Sequence, residues 1–381
     1  MNSPVTTDIV SYGVLSPAGA GPKVLIEAVR EGGTLAEAHP EDLADAGFED
    51  FDQGAFPLRL RPVPGFRPEE YLGRKGLRNH SRTAKLGMAA CEMALDGLME
   101  TIPEEHRSRT GVVLGSGTGS ARAFGEFFRE TYEQQRPYLV SPALFPGILM
   151  NCAASAFAMR HSFTGVNASL AGGRLSSLTA LRYAHNSLIN GYSERLLTGG
   201  VEELSPHTAW AWQRGGALGT RGAVGEGSAV FVMQRSDAAL SGAPRTLASV
   251  AACEIGFRDP EQGPLTVAAG LALCVRDALK TAGVTADDVR VVSAGSTGDH
   301  GWRAVEARGR AQALGPAAGV ELLRVQDALG ETYSASGALQ LAALLGHWGT
   351  TDGEPGEIGL VTSVGHDGMV GCLVVRRGTA H

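Results

Sequence analysis

Apolar residues along this chain follow two patterns that alternate from one end to the other. Short runs rich in Val, Ile, Leu and Ala end in glycine turns, as buried strands do, and longer runs carry apolar residues at helical spacing. The runs predicted as strands are residues 8–15, 109–117, 194–204, 227–235, 246–257, 289–298, 356–364 and 369–377. The runs predicted as helices are residues 81–99, 120–134, 175–192, 265–283, 304–315 and 335–349. Strands that alternate with helices predict an α/β fold.

Two pairs of segments resemble each other and follow the same order along the chain. They are VVLGSGTGS (112–120) with VVSAGSTGD (291–299), and SAVFVMQR (228–235) with GCLVVRRG (371–378). This order predicts a duplicated α/β unit. We expect the join within Ser236–Pro244, so that the chain divides into an N-terminal half, 1–240, and a C-terminal half, 241–381.

The segment Val166–Leu178, VNASLAGGRLSSL, combines a β-prone run, a tight turn and the start of a helix. A thiolate placed at such a turn would be activated by the helix dipole and by exposed backbone N–H groups. Leu170 occupies that place, and its side chain is not a nucleophile. The segment therefore has the local shape of a catalytic turn without the catalytic side chain.

The composition excludes several classes of function. Of the 381 residues, 43% are hydrophobic and 19% are charged, as in a globular protein with a large core, and the net charge of −7 does not favour a nucleic-acid partner. The sequence shows no secretory signal and no run of about 18 apolar residues that would predict a membrane span, so we expect a cytoplasmic protein. The five cysteines are scattered, which predicts reduced core thiols rather than disulfides or a metal site.

The order of elements resembles that of a β-ketoacyl synthase. The segments that carry the resemblance are IVSYGVLSPAGAG at the N-terminus, RNHSRTAKLGMAACEMAL, VVLGSGTGS, LLTGGVEELSPH and GEGSAVFVMQR. The resemblance covers nearly the whole chain. It implies a thiolase-like fold with five layers, αβαβα, built from two similar halves.

The same resemblance places the family's catalytic residues on this sequence. The nucleophilic cysteine falls on Leu170, and the first histidine, which begins the family's HGTGT motif, falls on Gly295. The lysine before the second histidine falls on Gln326, and the second histidine falls on Glu331, whereas the glutamate later in the first motif is retained as Glu306. Claisen condensation needs a thiolate to hold the acyl chain and imidazoles to stabilise the developing enolate. We therefore expect no condensing activity from this chain alone.

A ketosynthase scaffold without its catalytic set resembles the chain length factor of type II polyketide synthases. That resemblance implies a heterodimer with an active ketosynthase, an acyl carrier protein as the carrier of the chain, and no cofactor or metal. The leucine at position 170 and a short loop between Trp212 and Gly225 favour a reduced, polyene-type product over an aromatic one.

In a chain length factor, bulky side chains at the shared tunnel limit the length of the product. By the resemblance, the candidate tunnel residues here are Ala123, Phe124, Phe127, Phe128, Phe145, Leu149 and Met150. Aromatic residues at helical spacing fit an ordinary core equally well. Thiolase-fold proteins dimerise through the strand that leads to the nucleophile turn, which implies an interface at Val166, Asn167, Ala168 and Ser169.

Two other functions stay open from the sequence. A diverged acyltransferase or hydrolase would use His300, His366 or Ser169, and a structural pseudo-enzyme would have no tunnel. A basic run, Arg74 to Arg82, is expected to be either a solvated helix start or a weak electrostatic contact for an acidic carrier protein or the partner subunit.

Overall fold

The computed structural model describes residues 6–32, 37–49, 57–99, 102–219, 222–236, 246–295, 301–315 and 319–379. The strands are β1 (Thr7–Ser16), β2 (Gly19–Ala20), β3 (Arg59–Arg61), β4 (Thr110–Gly115), β5 (Asn167–Leu170), β6 (Arg195–Glu202), β7 (Ala223–Gly225), β8 (Gly227–Arg235), β9 (Ala248–Phe257), β10 (Val289–Ala294), β11 (Glu321–Arg324), β12 (Ile358–Val364) and β13 (Met369–Arg377). The helices are α1 (Pro22–Arg30), α2 (Pro40–Asp45), α3 (Pro68–Leu72), α4 (Arg82–Leu95), α5 (Ala121–Glu133), α6 (Phe145–Ile148), α7 (Cys152–His161), α8 (Ser176–Ile189), α9 (Pro206–Gly215), α10 (Pro264–Ala282), α11 (Trp302–Leu314), α12 (Val325–Leu329) and α13 (Ser336–Trp348).

The main sheet has the same arrangement of strands on both sides of its centre. Its strands follow the order β11-β10-β12-β13-β9-β1-β8-β6-β4-β5, and β2 adds to β1. On each side of the central pair β9 and β1, two antiparallel pairings lead outward to two parallel ones. The pairs predicted from sequence repeats, β4 with β10 and β8 with β13, occupy equivalent places in this order. The prediction of a duplicated α/β unit agrees with it; the join itself, 240/241, lies outside the described residues.

Five layers follow from the contacts between helices and strands. The helices α8 and α13 touch each other, and each also touches strands of both halves of the sheet, so the two halves face each other across this pair. All 13 residues of α13 are buried, as expected for a helix in a central layer. On the outer faces, α4 and α7 pack against the N-terminal half, while α10 and α11 pack against the C-terminal half. The observed order of layers is αβαβα.

The predicted strands and long helices are all present, with ends that shift by a few residues. The apolar run 289–298 forms a strand only as far as Ala294, and Ser296–His300 lie outside the described residues. Shorter elements were not predicted, among them α7 and α9, because each carries too few helical repeats to form a clear pattern. The five cysteines are free and buried, in agreement with the prediction of reduced core thiols.

The described helices are mostly short or interrupted by charged residues. None of them is by itself long and apolar enough to cross a bilayer; one bent pair, Pro142–Ile148 with Cys152–His161, meets the criteria of length and composition together.

Candidate functional site

The predicted catalytic turn lies between β5 and α8. Leu170 ends β5, is half-buried and packs against the central core cluster. The backbone then turns through Gly173, whose φ of 55° lies in the left-handed region that glycine adopts without strain. Ser176 begins α8, and its hydroxyl accepts a hydrogen bond from the Gly172 N–H at 3.0 Å. The strand, turn and helix are therefore formed as predicted, with an apolar side chain at the turn.

Gly295 lies directly after β10 and has no room for a side chain. A Cβ on this residue would stand 2.5 Å from Oε1 of Gln340, closer than real Cβ contacts. Gln340 is fully buried and cannot easily move, because its amide donates to the carbonyls of Ser293 and Thr362 at 2.9 and 2.8 Å. Gly295 itself donates its N–H to Glu306. An imidazole at position 295 would thus require a different packing of this region.

A buried arginine joins the positions that the sequence analysis singled out. Arg174 is 2% exposed; its Nη1 donates to the fully buried Glu331, and its Nη2 donates to the carbonyl of Gly295 and to Ser336 Oγ. One guanidinium therefore contacts both residues predicted at the histidine positions. Burying either charge alone would be costly, and the ion pair with its additional hydrogen bonds compensates that cost.

Gln326 and Glu331 form further hydrogen bonds inside the same cluster. Gln326 is buried, and its amide nitrogen donates to Ser336 Oγ at 2.7 Å. Glu331 Oε1 accepts the backbone N–H of Tyr333 at 2.8 Å. Tyr333 has a φ of 40°, a left-handed conformation that is uncommon outside glycine. The carboxylate of Glu331 is thus hydrogen-bonded in the interior and not solvated.

A cavity of about 320 Å³ opens beside this cluster. Arg174 and Glu331 lie in its wall together with Glu202, which ends β6 and accepts the hydroxyl of Thr118 at 2.6 Å and that of Ser334. Burial raises the pKa of Glu202 from 4.5 to about 7, and the neighbouring Glu203 acts in the same direction. Sequence reasoning did not identify Glu202 or this cavity.

The predicted tunnel residues form an exposed apolar surface. No residue of α5 is buried, and the rings of Phe124 and Phe128 lie 4.4 Å apart while remaining 51% and 42% exposed. Phe127 links this pair to Phe145, with ring centroids 6.2 Å apart. Leu149 and Met150 are also exposed, and Ala123 is half-buried on α5. In this structure most of the cluster is exposed and so does not form part of the core, and large exposed apolar surfaces indicate interaction sites.

The predicted interface strand is an edge strand among the described strands. β5 pairs with β4 alone, through the register Val112↔Asn167 to Gly115↔Leu170. The carbonyls of Val166 and Leu170 accept hydrogen bonds from the β4 side at 2.9 and 3.0 Å. The backbone N–H groups of successive residues in a strand point to alternate sides. Those of Asn167 and Ser169 therefore point away from β4, and that of Ala168 points towards β4. This edge is open to another strand.

The basic run divides into a structural arginine and exposed cations. Arg82 is largely buried and binds both carboxylate oxygens of Glu226, so it holds α4 to the segment before β8. Arg74, Lys75 and Arg78 are exposed.

Comparison with protein families decides the family. Residues 8–239 match the model of the beta-ketoacyl synthase N-terminal domain, and residues 247–347 match that of the beta-ketoacyl synthase C-terminal domain. The chain belongs to the β-ketoacyl synthase family. Its relatives include 3-oxoacyl-(acyl-carrier-protein) synthase 2 of Vibrio cholerae, with 24% identity over 77% of this chain and 76% of the relative.

Solved structures of the β-ketoacyl synthase family have the same fold as this chain. The ishigamide ketosynthase/chain length factor is 31% identical, with a TM-score of 0.84, and the match covers 98% of this chain and 99% of that one. A β-ketoacyl synthase of Burkholderia phymatum is 20% identical, with a TM-score of 0.82 over 98% and 99% of the two chains. The predicted thiolase-like fold is confirmed.

Besides Glu202, the sequence analysis of this β-ketoacyl synthase family member also missed Arg174. A signal was present, because an arginine stands in the small and apolar turn LAGGRLSSL, where a charge needs a partner. Its partner is the carboxylate of Glu331, 157 residues along the chain. Only the fold brings the two together.

Proposed function

We propose that this chain is a chain length factor, a non-condensing subunit that pairs with an active ketosynthase and helps to set the length of a polyketide. One observation carries the proposal. The space between the nucleophile turn and the two predicted histidine positions is occupied by the ion pair of Arg174 and Glu331, and the pair is held by the carbonyl of Gly295. Leucine, glycine and a paired glutamate supply neither the nucleophile nor the imidazoles of a condensing site.

Two exposed features support pairing with another subunit. The edge strand β5 can add a strand from a partner through its outward N–H groups, at the interface predicted for Val166, Asn167, Ala168 and Ser169. The aromatic surface of α5 and α6 would be covered in such a pair, which explains why apolar side chains are exposed here.

The aromatic surface also supports a role in setting chain length. Phe124, Phe127, Phe128 and Phe145 form one connected group of rings, and a growing chain that reaches them would be stopped by overlap. Ala123, Leu149 and Met150 lie beside these rings along the chain. Removing a ring would leave space for further ketide units, each stabilised by burial of about 0.8 kcal/mol per methylene.

The carrier protein and the product class belong to the same proposal. Arg74, Lys75 and Arg78 supply an exposed positive patch for a transient contact with an acidic acyl carrier protein. Leu170 and the short segment between Trp212 and Gly225 favour a reduced, polyene-type product. We place the assembly in the cytoplasm, with no cofactor.

Product profiling of the reconstituted pair tests the proposal. We expect Phe124→Ala or Phe128→Ala to lengthen the main product by one or more whole ketide units. Tyr132→Ala is the matched control, because Tyr132 lies on the same helix, is 86% exposed and belongs to none of the ring contacts of the group. An unchanged length distribution in both phenylalanine variants, with the pair intact, would contradict a role of this surface in chain length.

A further inference from the structure

The cavity beside Arg174 has a buried floor and an open mouth. Glu202, Glu331 and Arg174 are buried at the floor, while Thr118 and Asp367 are exposed. Its volume of about 320 Å³ is in the range of pockets that bind small molecules. The proposed chain length factor role makes no use of it, so a ligand for this space has to be inferred from its walls.

The charges around the cavity are predominantly negative. Among the described lining residues, Arg174 is the only arginine or lysine, and its charge is compensated by Glu331. Three further carboxyl groups, of Glu202, Glu203 and Asp367, have no arginine or lysine of their own in this described lining. The pKa of the Tyr333 hydroxyl is consistent with this negative charge. Burial raises it most, and the carboxylates of Glu202, Asp367 and Glu331 raise it further, whereas Arg174 lowers it.

Aromatic rings form the remaining part of the wall. The ring of Trp212 lies 5.5 Å from that of Tyr333 and 5.7 Å from that of His366, in edge-to-face arrangements. Trp302 supports His366 from outside at 5.1 Å. Aromatic side chains attract cations through the negative face of the ring, and tryptophan does so best.

We propose that this cavity binds a small organic cation, an alkylammonium group that lies in the cavity against the wall formed by the Trp212, Tyr333 and His366 rings, with Glu202 and Asp367 as counter-ions. An anion would meet four carboxyl groups of the described lining, those of Glu202, Glu203, Glu331 and Asp367. The guanidinium of Arg174 already donates through its Nη groups to Glu331, Gly295 and Ser336. Among the described residues, no group of three or more His, Cys, Asp or Glu side chains is arranged to hold a metal ion. The combination of apolar rings and carboxylates favours a cation that carries carbon substituents.

Binding is expected to depend on pH through Glu202. Its ionised form attracts a cation, so affinity rises as the pH increases through the pKa of about 7, and binding releases a proton. The titratable and charged groups around it are Glu203, Arg174, Glu331, Tyr333, His366 and Asp367. Between about pH 6 and about pH 8 the affinity should increase by up to about tenfold.

Titration of the purified full chain with choline chloride, at constant ionic strength, tests the proposal by calorimetry and by tryptophan fluorescence. The neutral isostere 3,3-dimethylbutan-1-ol serves as the matched probe, because it has the same shape and no charge. We expect saturable binding of choline, with a fluorescence change, and at least about tenfold weaker binding of the alcohol. Equal binding of the two probes, or no saturable binding of choline, would overturn the proposal.

Variants in the wall separate this site from any other. Glu202→Gln should remove the pH dependence of choline binding. Asp367→Asn, at an exposed position that leaves the core intact, should weaken choline binding several-fold.

Trp212→Leu should abolish the fluorescence change, whereas Trp210→Leu, on the same helix and outside the cavity, should preserve it. Binding that survives both Asp367→Asn and Trp212→Leu unchanged would place the cation elsewhere and refute the assignment. None of these variants alters the α5 surface, so their outcome is independent of the chain-length proposal.

Discussion

Arg174 and Glu331 show how one part of the molecule depends on two residues that lie far apart in the sequence. Each residue is buried, and each would be costly without the other, because an isolated charge in the interior is poorly solvated. Their mutual contact, together with the Gly295 carbonyl and the side chains of Ser336 and Gln326, makes a polar cluster in the interior. At the scale of residues, this cluster is the main support for the proposal that the chain does not condense acyl groups.

Arg174→Met should destabilise the chain by about 3–5 kcal/mol, because it leaves the Glu331 carboxylate buried without a partner. The double variant Arg174→Met/Glu331→Gln should recover at least about 2 kcal/mol of that loss, since the amide is neutral and can still accept the Tyr333 N–H. Urea unfolding measures both. Arg67→Met is the control: its ion pair with Asp45 is half exposed, so the cost stays below about 1 kcal/mol. A double variant no more stable than Arg174→Met would show that the ion pair is not the source of the effect.

Glu202 should make the stability of the fold depend on pH. Its folded-state pKa, about 7, is raised above the ordinary value of 4.5, so the folded state holds the proton more tightly than the unfolded state. Stability contributed by the protonated form is therefore present below about pH 4.5 and is lost as the pH rises to about 7, by roughly 3 kcal/mol. Chemical unfolding at several pH values should show this decline, and Glu202→Gln should flatten it. A decline of equal size in the variant would assign the effect to other groups, Glu203 first among them.

At the scale of elements, the two edge strands of the main sheet, β5 and β11, occupy equivalent positions but have different neighbours. β5 and β11 each pair with one described strand, β4 and β10, and each lies at one end of the order. The exposed aromatic residues of α5 and α6 belong to the N-terminal half, the half that ends in β5. This asymmetry points to β5 as the strand that meets a partner.

Ser169→Pro tests the role of the β5 edge. Proline removes the N–H that points away from β4, so the chain should stay folded while strand addition by a partner weakens by about tenfold or more. Ser169→Ala is the control, because it keeps the backbone donor. Analytical ultracentrifugation of the purified pair measures the association, and circular dichroism of the isolated variant shows whether it is folded. A proline variant that folds and pairs as well as the alanine variant would exclude β5 from the interface.

The elements differ in how well the sequence predicted them. Long buried strands and α13 are continuous apolar runs that end at glycine-containing turns, so their positions follow from local residues alone. Helices such as α7 and α9 are short and become stable through packing, which single-sequence patterns do not encode. The Arg174–Glu331 pair and the cavity at Glu202 depend on chain segments more than 100 residues apart. The sequence contains these charged residues in unusual apolar surroundings, but it does not show that they contact one another in the fold.

At the scale of the whole molecule, duplication explains both the fold and the site. Two similar half-sheets enclose α8 and α13, and the turn before α8 and the segment before α13 meet between them. This arrangement brings residues of both halves together, and the residues that meet include the buried ion pair of Arg174 and Glu331. In the proposed function, a second subunit would cover the aromatic surface and the open strand edge.

Native mass spectrometry of this chain, co-expressed untagged with the tagged ketosynthase of the same organism, tests the central claim most directly. The account predicts a stable one-to-one heterodimer in which acyl groups become attached to the ketosynthase and not to this chain. A homodimer that ignores the ketosynthase, or an acyl group bound covalently to this chain, would contradict it.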